Sequence, residues 1–213
     1  MSRMGHVILL GDSVFDNARY VPGGPSVIEH TRRALPAGWR ATLLAVDGSV
    51  ASGVRAQLDR LPADATQLVV SVGGNDALGH SALIHNAAAA SFAEVLHRLG
   101  EICVAFQADY RAMLQALAAK GLPTIVCTVY DAIPGLGLPD LTGLRLFNEV
   151  ILREAFRAGL SVIDLRLICR EAADYASTSP IEPSAQGGGK IARVVARAVA
   201  ESGGPTAGSR VFA

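Results

Sequence analysis

The chain has 213 residues, a length that suits one α/β domain and allows one substantial hydrophobic core. Hydrophobic residues make up 50% of the sequence, a share that excludes a disordered chain. The formal net charge is zero and no basic or acidic block occurs, which argues against a nucleic-acid partner, because binding to phosphates requires a cationic face.

Short apolar runs alternate with segments of helical periodicity along the chain. The apolar runs predict buried strands at residues 6–13, 41–48, 67–76, 123–131 and 161–165. The periodic segments predict helices at residues 27–35, 50–61, 86–120, 144–159 and 190–201. Leu99-Gly100 is a candidate break within the third of these helices. The alternation predicts a three-layer α/β/α fold, in which a five-stranded parallel sheet carries helices on both faces.

Neither an internal repeat nor an interdomain linker is evident, so we predict a single domain over residues 1–203. Residues 204–213 are predicted to be a flexible tail. The first apolar run is too short for a signal peptide, and no run approaches the ~18 residues of a membrane span, so we expect a cytoplasmic protein without a membrane partner. The three cysteines fit no zinc motif, and neither a metal site nor a cofactor is predicted.

Three sequence blocks stand at the carboxyl ends of predicted strands, where the functional residues of parallel α/β sheets lie. They are GDSVFDN from Gly11, VDGS from Val46 and GGND from Gly73. In order and spacing these blocks resemble those of the SGNH (GDSL-type) hydrolases, and the resemblance covers nearly the whole chain. It implies a flavodoxin-like fold and the transfer of an acyl group from an ester to a serine, and then to water.

The resemblance also implies a role for each of three strand-end residues. Ser13 would be the nucleophile, and its backbone N–H, the Gly48 N–H and the Asn75 side-chain amide would form the oxyanion hole. A glycine at position 48 allows the backbone to approach a developing oxyanion closely. Losing one such donor typically lowers the rate about 100- to 1,000-fold. Asp12 and Asp76 are interpreted as supporting residues that brace their turns.

The fourth block of the family, D-x-x-H-P, contains the aspartate and the histidine that activate the serine. Aligned on its proline and the glycine that follows, this block falls on the sequence SPIEP, where Ser179 replaces the aspartate and Glu182 replaces the histidine. No histidine follows His97, so a shift of the alignment cannot restore the triad.

Three hypotheses for the missing histidine remain open. Glu182 could be the general base, oriented by Ser179, if burial raises the pKa of its carboxyl from ~4.3 toward neutrality, and weak or acid-shifted activity would then follow. Alternatively, a histidine from elsewhere could reach Ser13, with His80 as the best candidate and His85 as the next. In the third hypothesis the domain has lost hydrolysis.

The predicted function is therefore serine-dependent hydrolysis of small esters with a non-standard base, and the alternative is a pseudoenzyme that binds ligands in the same cleft. In either case the expected partner is a small-molecule ester or acyl compound, with short-chain esters as the default that the resemblance implies. Loops 79–90 and 132–143 carry no selectivity signal, so neither acyl length nor oligomeric state follows from the sequence.

Overall fold

The computed structural model describes residues 4–86, 88, 91–202 and 208–213. Its strands are β1 (His6–Gly11), β2 (Arg40–Leu43), β3 (Gln67–Ser71), β4 (Thr124–Cys127), β5 (Ser161–Ile163), β6 (Tyr175–Ala176), β7 (Ser179–Pro183) and β8 (Val211–Phe212). Its α-helices are α1 (Val27–Ala34), α2 (Val54–Leu58), α3 (Gly74–Leu78), α4 (Ser81–Asn86), α5 (Phe92–Ala118), α6 (Leu138–Arg157), α7 (Leu165–Ile168) and α8 (Ala185–Glu201).

Six strands form the main sheet in the order β2-β1-β3-β4-β5-β8, and every neighbouring pair is parallel. Alternate residues of β1 enter two separate apolar clusters, Val7 and Leu9 on one face of the sheet and Ile8 and Leu10 on the other. Helices α1 and α8 pack on the first face, and α5 and α6 pack on the second. The predicted three-layer α/β/α fold is confirmed.

The sheet has one strand more than predicted, because the end of the chain joins it. Residues 211–212 were placed in a flexible tail, yet they form β8 and pair with β5. The Val162 N–H donates to the Arg210 carbonyl at 2.7 Å, the Asp164 N–H donates to the Phe212 carbonyl at 2.8 Å, and Phe212 is buried. Residues 204–207 of the predicted tail lie outside the described residues.

Segments around the C-terminal motif also differ from their predicted structure. Residues 179–183 are not a loop but the strand β7, which forms an antiparallel hairpin with β6. Helix α8 begins five residues earlier than predicted, because the Ser184 hydroxyl caps it by accepting the Gly187 N–H at 3.1 Å. A glycine is required at 187, since a Cβ there would lie 2.1 Å from the Asp174 carbonyl oxygen.

Two further helices are longer or more regular than the sequence suggested. Helix α5 runs through Leu99-Gly100 without a break, and α6 begins at Leu138 rather than at residue 144, with a proline in its first turn. Within the described ranges, no helix is both long enough and apolar enough to cross a membrane.

Candidate active site

Ser13 lies at the carboxyl edge of the sheet, on a turn that directly follows the strand β1. Gly11 has a φ of +119°, and a Cβ at this position would lie 1.8 Å from the Ser71 carbonyl oxygen. The buried Gln57 side chain accepts the Gly11 N–H at 2.8 Å and donates to the Gly11 carbonyl at 2.7 Å. Ser13 follows two residues later and is 7% exposed.

Asp12 braces the same turn, as its interpretation from the sequence supposed. Its Oδ1 accepts the Val14 N–H at 3.0 Å, and the side chain is almost completely buried. Burial raises the pKa of the Asp12 carboxyl to about 8, although the hydrogen bond from Val14 opposes this shift, and the nearby Glu182 charge raises the pKa further.

The structure places the Glu182 carboxyl close enough to the Ser13 side chain for the serine to lower the pKa of the carboxyl, and both residues line one pocket. Glu182 is only 4% exposed, and within the described part of the chain its Oε2 has no hydrogen-bond partner. Burial raises the pKa of this carboxyl to about 7, the interaction with the Ser13 side chain opposes that rise, and the Asp47 charge adds to it. A carboxyl in this environment is half ionised near neutral pH.

An irregular β7 strand places the Glu182 carboxyl. Tyr175 pairs with Pro183 and Ala176 pairs with Ser179, so three residues of β7 lie opposite no partner residue, and Glu182 is one of them. This segment is fixed on both sides of Glu182, as the hydrogen bonds of its neighbours show.

The Tyr130 hydroxyl donates to the Ile181 carbonyl at 2.6 Å, and the Asn17 amide donates to the Pro183 carbonyl at 3.0 Å. Asn17 is fully buried and also accepts the Val27 N–H at 2.8 Å, which ties β7 to the start of α1.

The predicted oxyanion-hole donors are Ser13, on the turn after β1, and residues of two neighbouring turns. Within the described residues, the backbone N–H groups of Ser13 and Gly48 have no protein acceptor. Gly48 has a φ of +79°, a conformation that favours glycine. The Asn75 amide donates one hydrogen to the Ser49 carbonyl at 3.0 Å, which leaves its second hydrogen for a ligand. The Asp76 carboxylate accepts the Ala51 N–H at 3.1 Å and thereby holds the 48–51 turn against α3.

Ser13, Asn75 and Glu182 line one pocket, whose volume is about 860 Å³ when its opening to solvent is included. Gly48 is not part of its wall. The wall is mostly apolar and is built mainly by α3, α5, α6 and the segment after β4. Its apolar side chains include Leu78, Leu99, Ile102, Leu136, Leu144 and Phe147.

The structure does not bring Ser179 to Glu182. Within the described chain the Ser179 hydroxyl makes no hydrogen bond, and Ser179 is not among the residues that shift the pKa of the Glu182 carboxyl. The expectation that Ser179 orients the carboxyl is therefore wrong, and the residues that fix this segment are Asn17 and Tyr130.

The candidate histidines do not contact Ser13. His80 lies in the pocket wall, is exposed, and has its ring centroid 6.2 Å from that of Phe147. Its role as an alternative base stays a prediction. His85 is engaged elsewhere, since its Nε2 lies 2.9 Å from an Asp140 carboxylate oxygen.

The described residues contain no group of three or more histidine, cysteine, aspartate or glutamate side chains placed to hold a metal ion. The cysteines are free thiols, and burial raises the pKa of Cys169 to about 12, so it stays protonated at neutral pH.

Comparison with known protein families gives a match over most of the chain. The model of the GDSL-like lipase/acylhydrolase family matches residues 9–188, which include Ser13, Asn75 and Glu182. The chain belongs to this family. A search of curated proteins gives no match.

Solved structures support the GDSL-like fold. A lipase, Lip_vut3 from a goat rumen metagenome, has 19% identity and a TM-score of 0.70, with 94% of this chain and 98% of that chain covered. The acetyl xylan esterase AlAXEase has 18% identity and a TM-score of 0.66, with 91% and 99% covered. A variant of the acetyl xylan esterase Axe2 from Geobacillus stearothermophilus has 18% identity and a TM-score of 0.65, with 94% and 96% covered.

Some residues of this GDSL-like site were not found from the sequence. Gln57 is a polar residue in a short helix, and nothing in its local pattern indicates that it clamps Gly11. Tyr130 carried a weak signal, because it follows β4 at the carboxyl edge of the sheet.

Proposed function

We propose that this protein is a serine-dependent carboxylic-ester hydrolase, with Ser13 as nucleophile and Glu182 as general base. The observation that carries the proposal is the buried Glu182 carboxyl beside the buried Ser13 side chain, in the wall of an apolar pocket that both residues line. In this proposal Glu182 takes the position that a histidine has in the family's fourth block. Family membership supports acyl hydrolysis as the reaction class.

The proposed reaction begins when the ionised Glu182 carboxylate accepts the Ser13 hydroxyl proton as the serine oxygen bonds to the ester carbonyl carbon. The carbonyl oxygen becomes an oxyanion, which accepts hydrogen bonds from the Ser13 and Gly48 N–H groups and from the Asn75 amide. Glu182 then gives its proton to the alkoxide that leaves as the C–O bond breaks. Water, deprotonated by Glu182 in the same way, releases the acid and restores Ser13.

The burial of Glu182 supports its role as a base at neutral pH. An ordinary glutamate, with a pKa of ~4.3, is a weak proton acceptor, whereas a base is most efficient when its pKa lies near the working pH. Burial raises the Glu182 pKa to about 7, so about half of the molecules hold the ionised form at neutral pH. The proposal therefore predicts activity near neutrality rather than the acid-shifted activity expected from the sequence.

The test is hydrolysis of p-nitrophenyl acetate and butyrate from pH 5 to 9 by the wild type and by the variants Ser13→Ala, Glu182→Gln and His80→Ala. We expect Ser13→Ala to remove turnover, Glu182→Gln to lower kcat about 1,000-fold, and His80→Ala to change it less than threefold. A large loss in His80→Ala with little change in Glu182→Gln would assign the base to the histidine instead.

One observation favours a second candidate, a ligand-binding module without efficient hydrolysis. The Glu182 Oε2 has no partner within the described residues, so no group orients the carboxyl as the family's aspartate orients its histidine. In this case the wild type and Ser13→Ala would bind a neutral ester analogue equally well, and neither would hydrolyse any ester in a Ser13-dependent manner.

A further inference from the structure

Five carboxyl side chains among the described residues are buried, and they differ in whether a cation lies beside them. Three of them contact an arginine or a lysine: Glu154, Asp164 and Asp174. Neither Asp12 nor Glu182 forms an ion pair with any described residue. These two carboxyls without a cation are also the two that line the pocket with Ser13.

Asp12 and Glu182 would repel each other if both were ionised. Asp12 directly precedes Ser13 in the chain, and Glu182 is close enough to the same serine for the serine to lower its pKa. Each buried charge without a cation also carries a desolvation cost. Two carboxyls in one site avoid these costs when one of them keeps its proton, so we expect this pair to hold a single negative charge near neutral pH.

Asp12 is the member of the pair that keeps its proton to higher pH. It is 2% exposed and lies within range of two other carboxyls, Glu182 on β7 and Asp76 on α3. Burial raises the pKa of Asp12 to about 8 and that of Glu182 to about 7. The Asp12 charge also reaches Cys127 on β4 and the neighbouring Tyr130, and burial raises the pKa of both, so these two groups stay neutral.

The Asp12 carboxyl faces the place where the oxyanion of the proposed reaction would form. Its Oδ1 accepts the Val14 N–H at 3.0 Å. Its Oδ2 lies toward Gly74, since a Cβ added to that glycine would be 3.9 Å from this oxygen. The next residue is Asn75, whose amide is a predicted donor to the oxyanion. A negative charge on Asp12 would therefore oppose the negative charge that develops on the substrate oxygen.

From this arrangement we infer that Asp12 is a second functional carboxyl of the site: hydrolysis requires Asp12 to be protonated while Glu182 is ionised, and loss of the Asp12 proton switches the site off. Asp12 acts through its charge on the oxyanion and on Glu182, and it transfers no proton. The inference rests on the proposed function and adds control by pH to it. The sequence-based interpretation gave Asp12 a bracing role alone.

The first arm of the test measures kcat/KM for p-nitrophenyl butyrate from pH 6 to 10 in the wild type and in Asp12→Asn. The asparagine can accept the same hydrogen bond from Val14 and cannot ionise, so it imitates the neutral acid. Between pH 7.5 and pH 9.5 we expect kcat/KM of the wild type to fall about twentyfold and that of Asp12→Asn not to fall. A fall of the same size in both proteins would overturn the inference.

Asp164→Asn is the matched control for this arm. It makes the same change at a buried carboxyl that lies outside the pocket wall and contacts Arg166 at 2.6 Å. The control should keep the wild-type fall in kcat/KM above pH 8. If Asp164→Asn removed the fall as completely as Asp12→Asn does, the fall would come from the fold and the inference would be overturned.

A second arm observes the proton on Asp12 directly and does not depend on turnover. Protein labelled with [4-¹³C]aspartate is titrated by NMR from pH 5 to 10 as the wild type and as Ser13→Ala. We expect an aspartate carboxyl that titrates near pH 8 in both, and Asp12→Asn should remove its resonance.

The NMR titration separates this inference from the proposed function. If no ester is hydrolysed in a Ser13-dependent manner, the proposed function fails, whereas an Asp12 titration near pH 8 still supports Asp12 as the neutral carboxyl of the pair. An Asp12 carboxyl that titrates near its ordinary value of about 4 would overturn the inference whether or not esters are hydrolysed. The absence of any aspartate that titrates above pH 7 would do the same, even if Asp12→Asn does not fold.

Discussion

Two buried glutamates, one on a helix and one on a strand, differ in the hydrogen-bond partners that surround their carboxyls. Glu154 on α6 and Glu182 on β7 are 3% and 4% exposed. Glu154 accepts hydrogen bonds from Gln107 at 2.5 Å, from Arg111 at 2.8 Å and from Arg157 at 3.0 Å. Glu182 lies beside the Ser13 hydroxyl, and its Oε2 has no hydrogen-bond partner in the described chain.

The consequence is a difference in pKa between the two carboxyls. The hydrogen bond from Arg111 is the largest influence on Glu154 and helps to hold its pKa down to about 2, so this carboxyl is ionised at neutral pH. Burial without a cationic partner raises the pKa of Glu182 to about 7. The first glutamate joins α5 to α6, whereas the second, in the proposed mechanism, is a proton acceptor beside Ser13 at a cost in stability.

The largest expected effect is on activity. Glu182→Gln should lower kcat about 1,000-fold on p-nitrophenyl butyrate, because the amide cannot accept the Ser13 proton. Glu154→Gln, a matched change at a residue of equal burial, should keep kcat within threefold. Similar losses in both variants would mean that Glu182 acts through the fold rather than as the base.

The next effect is on stability as a function of pH, measured by urea unfolding at pH 4.5 and 8.5. The folded-state pKa of Glu182 is raised, so its contribution to stability is fully present below the unfolded-state value of 4.5 and is lost as pH rises through about 7. Between pH 4.5 and pH 8.5, the free energy of unfolding of Glu182→Gln should therefore rise by about 2–3 kcal/mol relative to that of the wild type. Asp12, whose pKa is also raised, is present in both proteins. A constant difference across the range would contradict the raised pKa.

The stability that Glu154 contributes should depend on pH with the opposite sign. Its depressed pKa means that the stability it contributes is present above the unfolded-state value of 4.5 and is lost as pH falls toward about 2. Glu154→Gln should lower the free energy of unfolding by about 2 kcal/mol at pH 7, since it removes the charge that Arg111 and Arg157 contact. The loss should shrink as both proteins are acidified below pH 4, and a loss that does not shrink would show that the ion pairs are not its source.

The smallest effect concerns the strand that positions Glu182. Tyr130→Phe removes the hydrogen bond to the Ile181 carbonyl and should lower kcat about fivefold, a loss of about 1 kcal/mol. Tyr175→Phe is the matched control, because Tyr175 packs against Tyr130 but its buried hydroxyl donates to the Cys169 carbonyl at 2.9 Å and not to β7. Equal changes in kcat for the two variants would show that Tyr130 does not position Glu182.

The sequence predicted the parts of the site that depend on local pattern. Ser13, Gly48 and Asn75 each follow an apolar strand, and the parallel sheet brings such strand ends to one edge. The position of Glu182 beside Ser13 was a hypothesis from alignment alone. The role of Ser179 could not be judged from the sequence, because the irregular β6–β7 hairpin that holds Ser179 and Glu182 was not predicted.

Other features depended on contacts between residues distant in sequence. Asn17 lies 166 residues from Pro183, and Gln57 lies 46 residues from Gly11, so no local pattern could indicate these hydrogen bonds. The strand β8 was missed for a similar reason: two residues at the end of a glycine-rich segment carry too little pattern to predict that they would pair with β5.

The most direct test of the assignment of Glu182 as the base is to titrate its carboxyl by ¹³C NMR and to compare that titration with the pH dependence of kcat/KM. The Glu182→Gln spectrum identifies the resonance. We predict that the carboxyl titrates near pH 7 and that kcat/KM rises with pH through the same value, as the ionised base forms. A carboxyl that titrates near 4.5, or a rise in kcat/KM near pH 7 that persists in Glu182→Gln, would contradict the assignment.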